Sequence, residues 1–219
     1  MTRLENELLN YKSKYTDTSG TLKNEIGIND RNKLERVERT ITNYKLANLY
    51  LHPELSLENG VKKYSVNHYL CIHKYLFEDI YSFAGKIRDE SINKTIPFCL
   101  PQFIYNSLES TLSRMYKESK KISNREELLN FIVRYYPELD VIHPFREGNG
   151  RCEREFFRQY IKDICVNNEL DNYYLDFSLI TDKKDFIKAV IDADICVDDN
   201  HLREIFSDIL VCYDKGLKK

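Results

Sequence analysis

His143, Glu147, Arg151 and Arg154 stand close together around a Gly148-Asn149-Gly150 turn. Their types suit a polyphosphate carried on a metal ion. Glycines at 148 and 150 let the backbone take positive φ and approach a ligand closely. Phe156, Phe157, Tyr160, Ile161 and Ile164 follow at helical spacing, which predicts a helix over 151–165. A glycine turn that opens a helix offers unpaired N–H groups and the positive end of the macrodipole to an anion. Arg151 and Arg154, three apart, share a face of that helix, and guanidinium groups grip phosphate oxygens in pairs. Glu147 is a hard carboxylate of the kind that holds Mg²⁺ beside phosphates. His143, with an ordinary pKa of roughly 6.5, suits a general base at neutral pH.

The stretch His143-Pro144-Phe145-Arg146-Glu147-Gly148-Asn149-Gly150-Arg151-x-x-Arg154 resembles the signature of the Fic family, HxFx(D/E)GNGRxxR, at every defined position. The resemblance implies transfer of AMP from ATP to a Ser, Thr or Tyr hydroxyl of a target protein. Pyrophosphate is released, and the enzyme modifies itself as well. In that scheme Arg151 and Arg154 hold the outer phosphates and Glu147 positions Mg²⁺. Gly148, Asn149 and Gly150 donate to the α-phosphate, and His143 takes the proton. Another phosphate-containing group transfer or AMP removal on the same scaffold is an alternative, as is a non-catalytic ATP-sensing module. The branch that phosphorylates replaces the first motif glycine by lysine, and here Gly148 is intact. Sensing needs no base, so His143 favours catalysis.

Residues 88–101 lack a helical period, and Ser91 to Phe98 mixes β-branched and polar residues around a turn. The equivalent stretch of Fic proteins is a β-hairpin, the flap, which pairs with the target backbone. The resemblance therefore assigns target docking to Lys94, Thr95, Ile96 and Pro97; an ordinary surface loop is the bland alternative. Many Fic proteins also carry an inhibitory helix, (S/T)xxxE(G/N), whose glutamate pairs with the second motif arginine. Thr21-x-x-x-Glu25 has the spacing, but Ile26 follows it. Control is expected from an antitoxin-like inhibitory protein, from a degenerate brake at Glu25 or Glu35, or from neither.

The elements that must position these groups are helical. Asp30 is expected to cap a helix whose stripe is Leu34, Val37, Ile41, Tyr44, Ala47 and Leu51, ended by Pro53. Val66 to Tyr81 reads as a second helix with His73 packed in the core and Gly85 as its stop. Gln102 to Ser119 reads as a third. Ser123-x-x-Glu126 has the form of a capping box for a buried helix, kinked or restarted at Pro137, that leads into His143. Thr181 or Asp182 caps a sixth helix, and the last spans 202–213. Phe145 is expected to anchor the loop, Arg146 to face solvent, and Glu153 and Glu155 to serve the helix dipole. The fold class is all-α, a helical bundle around the motif loop and helix with one small β-hairpin flap. Residues 1–14 are a polar extension, 15–213 a single domain and 214–219 a tail.

With 219 residues and a formal charge of −2, the chain carries no field that points to nucleic acid or an anionic membrane. Its six cysteines form no CxxC pair, and free thiols suit a reducing, cytoplasmic setting. The sequence shows no membrane-length apolar run.

Overall fold

The structure, a computed structural model, describes residues 13–92, 97–195 and 198–213. Asp30 starts the first helix: its carboxylate accepts from Lys33 N–H at 2.7 Å, an N-cap bond. That helix, α1, spans Arg31–Leu51; α2 is Val66–Phe77, α3 Ile104–Ser119 and α4 Arg125–Ile142. The motif helix α5 is Asn149–Asn167, followed by α6, Lys183–Ile195, and α7, Asn200–Ile209. Two short strands, β1 (Tyr173–Leu175) and β2 (Leu210–Cys212), pair antiparallel with Tyr173 opposite Cys212. The named sheet of the described residues thus joins the segment after α5 to the end of α7 and contains none of residues 88–101, where the flap is predicted.

Helices α4 and α5 carry apolar residues on most sides and form the centre. Helix α4 packs against α3, α5, α6 and α7, while α2 lies on α5 and is backed by α1. This arrangement puts the short link from α4 to α5, residues 143–148, over the core.

Several local expectations are corrected. The buried face of α1 is Leu34, Glu38, Thr42, Lys45 and Leu49, whereas Tyr44 and Leu51 are 69% and 70% exposed. Polar residues turn inward there because they find ionic partners: Lys45 lies 2.7 Å from Asp79, and Glu38 meets Arg151. Helix α2 stops at Phe77, and Gly85, at φ +71°, lies in the following turn against Lys74. The cap of α4 is Asn124, one residue later than the sequence suggests. Its side-chain Oδ1 accepts from Glu127 N–H at 2.9 Å, and the Glu127 carboxylate accepts from Ser123 N–H at 2.7 Å. Helix α4 runs through Pro137 without interruption. The last helix ends at Ile209, where the chain turns into β2.

Candidate active site

The site begins where α4 ends. His143 takes left-handed backbone angles, φ +45° and ψ +60°, a conformation uncommon without glycine. Its Nδ1 lies 3.0 Å from the Asp140 carbonyl. A carbonyl only accepts, so Nδ1 carries a proton, and in the neutral ring the lone pair is on Nε2. Phe98 stacks flat on the imidazole at 3.8 Å.

The loop is held from beneath. Phe145 is fully buried and stacked on His73 at 3.7 Å. His73 accepts from Gly85 N–H and donates through Nε2 to the Glu147 carbonyl, both at 2.9 Å. Burial holds its pKa down to about 3, so the ring stays neutral and does both jobs. Asn149 closes the loop on itself: Oδ1 accepts from Phe145 N–H and Nδ2 donates to the Phe145 carbonyl, each at 2.8 Å. The Asn149 side chain therefore shapes the loop, and its backbone N–H stands at the start of α5. Gly148, at φ +83°, is the N-cap of α5 and contributes no side-chain bond. A Cβ there would sit 2.2 Å from Phe77.

His143, Glu147 and Gly148 to Gly150 line a recess of about 190 Å³ with Arg151 and Arg154. Glu147 and both arginines also line a larger cavity of about 810 Å³, walled on the far side by α1. Glu147 Oε1 accepts from Gly148 N–H at 2.9 Å. The Arg151 guanidinium is bonded to the Glu38 carboxylate and donates to Thr42 Oγ1 at 3.2 Å. The Tyr81 hydroxyl donates to the same buried carboxylate. Arg154 lies over the Phe177 ring at 5.7 Å and makes no ion pair among the described residues. The structure thus brings His143, Glu147, Gly148, Asn149, Gly150, Arg151 and Arg154 to one place.

Lys94, Thr95 and Ile96 fall outside the described residues, and Pro97 is exposed. Arg146 is half-buried and lines both cavities, so it does not simply face solvent. Glu153 and Glu155 are buried; Glu155 pairs with Arg158 at 2.7 Å. Glu25 is exposed, while Glu35 lines the larger cavity and lies 3.4 Å from Arg31. Sequence reasoning missed Glu38 and Thr42. Their signal was a polar i, i+4 pair inside an amphipathic helix, which reads equally well as a solvated face.

Residues 63–161 match the sequence profile of the Fic/DOC family. This stretch is a Fic domain. The chain is 31% identical to the protein adenylyltransferase VbhT of Bartonella schoenbuchensis, over 82% of this chain and 35% of that protein. It is 28% identical to a probable protein adenylyltransferase Fic of Escherichia coli, over 63% of this chain and 66% of that one. It therefore spans about a third and about two thirds of these relatives' lengths. The fold is similar to an ADP-bound N-terminal Fic domain of a Bep effector from Bartonella quintana. There the TM-score is 0.72 at 26% identity, covering 91% of this chain and 95% of that one.

Proposed function

We propose that this Fic domain transfers AMP from ATP to a Ser, Thr or Tyr hydroxyl of a protein, itself included. The observation that carries the reading is the His143 ring. Its Nδ1–H is committed to a backbone carbonyl, and its basic Nε2 belongs to a ring that lines the same recess as the N-terminus of α5. Arg151 and Arg154 hold the β- and γ-phosphates. In the Gly148 to Gly150 turn the N–H groups of Asn149 and Gly150 donate to the α-phosphate as charge builds, while the Gly148 N–H holds Glu147. The target oxygen attacks the α-phosphorus, the bond to the β-phosphate oxygen breaks, and the hydroxyl proton passes to Nε2. Pyrophosphate is the leaving group.

Glu147 fits a Mg²⁺ that arrives with the nucleotide. It presents one carboxylate to the recess, and the described residues hold no cluster of three or more candidate ligands. A metal of that kind binds through one or two carboxylates plus phosphates, and it would neutralise charge on the departing pyrophosphate. The intact Gly148 supports AMP transfer over phosphorylation; the Phe77 ring stands where a Cβ would sit. Docking of the target along 94–97, an antitoxin-like partner and a reducing cytoplasm, suited by the free thiols of Cys71, Cys99 and Cys152, belong to the same reading. No described helix is long and apolar enough to cross a membrane.

The test is incubation with labelled ATP and Mg²⁺, followed by mass spectrometry of this protein and of lysate proteins. A mass increment of AMP, lost in His143→Ala, is expected. A phosphate increment, or no label on any protein, overturns the reading.

A further inference from the structure

Arg88 is the largest fully buried side chain, 1% exposed, yet among the described residues it has no carboxylate partner. Burying a charge that way is unfavourable unless its donors are met. They are met by carbonyls alone. Nε donates to His143 O at 2.8 Å, Nη1 to Glu90 O at 2.8 Å, and Nη2 to Cys99 O at 2.5 Å and to Ile142 O at 3.5 Å. Its backbone N–H donates to Pro144 O at 2.9 Å. Burial pushes the guanidinium pKa down, and the four acceptors oppose that.

The positions of those acceptors are informative. Ile142 and His143 are the end of α4, whose last carbonyls lack intrahelical partners. Glu90 and Cys99 stand on either side of the stretch 91–98. One planar group therefore bonds both stems of that stretch and the backbone of the histidine. Two further links run the same way: Cys99 N–H donates to Val141 O at 3.0 Å, and the Phe98 ring lies on the His143 ring with an interplanar angle of 10°. A lysine, with a compact ammonium on a flexible stem, cannot reproduce a planar fork that serves four carbonyls.

We propose that Arg88 and Phe98 are positioning residues that make the stems of the target-docking stretch and the catalytic histidine one rigid unit. The inference rests on the AMP-transfer reading. The phosphate-binding start of α5 is built separately, from Asn149 and His73, so nucleotide affinity lies outside this unit. Misplacement of a catalytic group by about 1 Å lowers a rate about 10²-fold, and this is the loss expected in kcat.

The test compares wild type with Arg88→Lys and Phe98→Leu. Melting confirms the fold, calorimetry gives ATP affinity, and transfer to a protein target is followed against pH. Nitrogen NMR of the His143 ring reports its tautomer. Arg88→Lys is expected to keep ATP affinity within about twofold while kcat falls about 10²-fold, to shift the pH profile, and to mix the His143 tautomers. Phe98→Leu, the lesser disturbance, is expected to lower kcat in the same sense and carries the test if Arg88→Lys does not fold. Lowered melting with unchanged kcat, pH profile and tautomer would reduce both residues to structural packing and overturn the proposal. The NMR arm needs no turnover, so an inactive wild type would sink the AMP-transfer reading without deciding this one.

Discussion

His143 is defined by the bonds around it. The Asp140 carbonyl fixes the tautomer, Phe98 fixes the ring plane, and the left-handed backbone aims the side chain at the recess. His143→Ala should lower transfer about 10²–10⁴-fold, the usual worth of a general base, and leave ATP affinity unchanged by calorimetry. His143, Glu147, Arg151 and Arg154 were legible in the sequence because their types and spacing are unusual together. Glu38 was not, because burial of a charge depends on a partner that lies far away in sequence. Glu153 was misread for a related reason. It has the position of a dipole-serving residue, but it is 1% exposed and its Oε1 has no partner among the described residues. Burial, with Asp140 adding to it and Arg154 opposing, holds its carboxyl far above the ordinary 4.5. The unfolded chain ionises above 4.5, whereas the folded one holds its proton to higher pH, so this group's contribution to stability is lost as pH rises from 4.5 toward the folded pKa. Glu153→Gln should therefore gain stability relative to wild type with rising pH, by up to about 1.4 kcal/mol per pH unit. Urea unfolding between pH 4.5 and 8 measures this, and a difference that does not change with pH would place the proton elsewhere.

At the level of helices and turns, the sequence located α1, α3, α4 and α5 to within a few residues, and the caps of α1 and α4 to within one. The errors share a physical cause. The pattern of α1 was read by hydrophobicity alone, and its buried face proved to include Glu38 and Lys45, each with an ionic partner. The turn at Gly148 was legible as a turn, but the tightness of its fit against Phe77 was not. Gly148→Ala combines an unfavourable left-handed backbone with a collision against a buried ring, so unfolding free energy should fall on the order of 3 kcal/mol. Gly150 has ordinary φ, and a Cβ there meets only the mobile end of Arg154 at 3.1 Å. Gly150→Ala should stay within about 1 kcal/mol of wild type. Equal losses for the two would contradict the assigned geometry.

Taken whole, the molecule places its cationic recess between a core pair, α4 and α5, and the ionic face of α1. The all-helical class was legible from periodicity. The strand pair β1–β2 was not, because two strands of three residues give no alternating pattern of useful length. Nor was the distinction between the two motif arginines: Arg151 is paired with the Glu38 carboxylate, while Arg154 lies over the Phe177 ring and makes no ion pair among the described residues. A brake of the family's kind would act on Arg154. Purified wild-type protein should therefore label itself with ATP and Mg²⁺ without any activating substitution, and Glu25→Gly and Glu35→Gly should label comparably. A silent wild type with either variant strongly active would reveal an internal brake.

The Asn149 bonds to both polar atoms of the Phe145 backbone have a thermodynamic and kinetic consequence. The loop is closed by bonds within the protein alone, so binding should order little chain and bury little new apolar surface. The heat-capacity change on binding should then be small, without the large negative value of coupled folding. Association should run in a single phase whose rate rises linearly with nucleotide concentration, because no slow rearrangement limits it. Asn149→Ala opens the loop, and there a curved dependence and a more negative heat-capacity change should appear together.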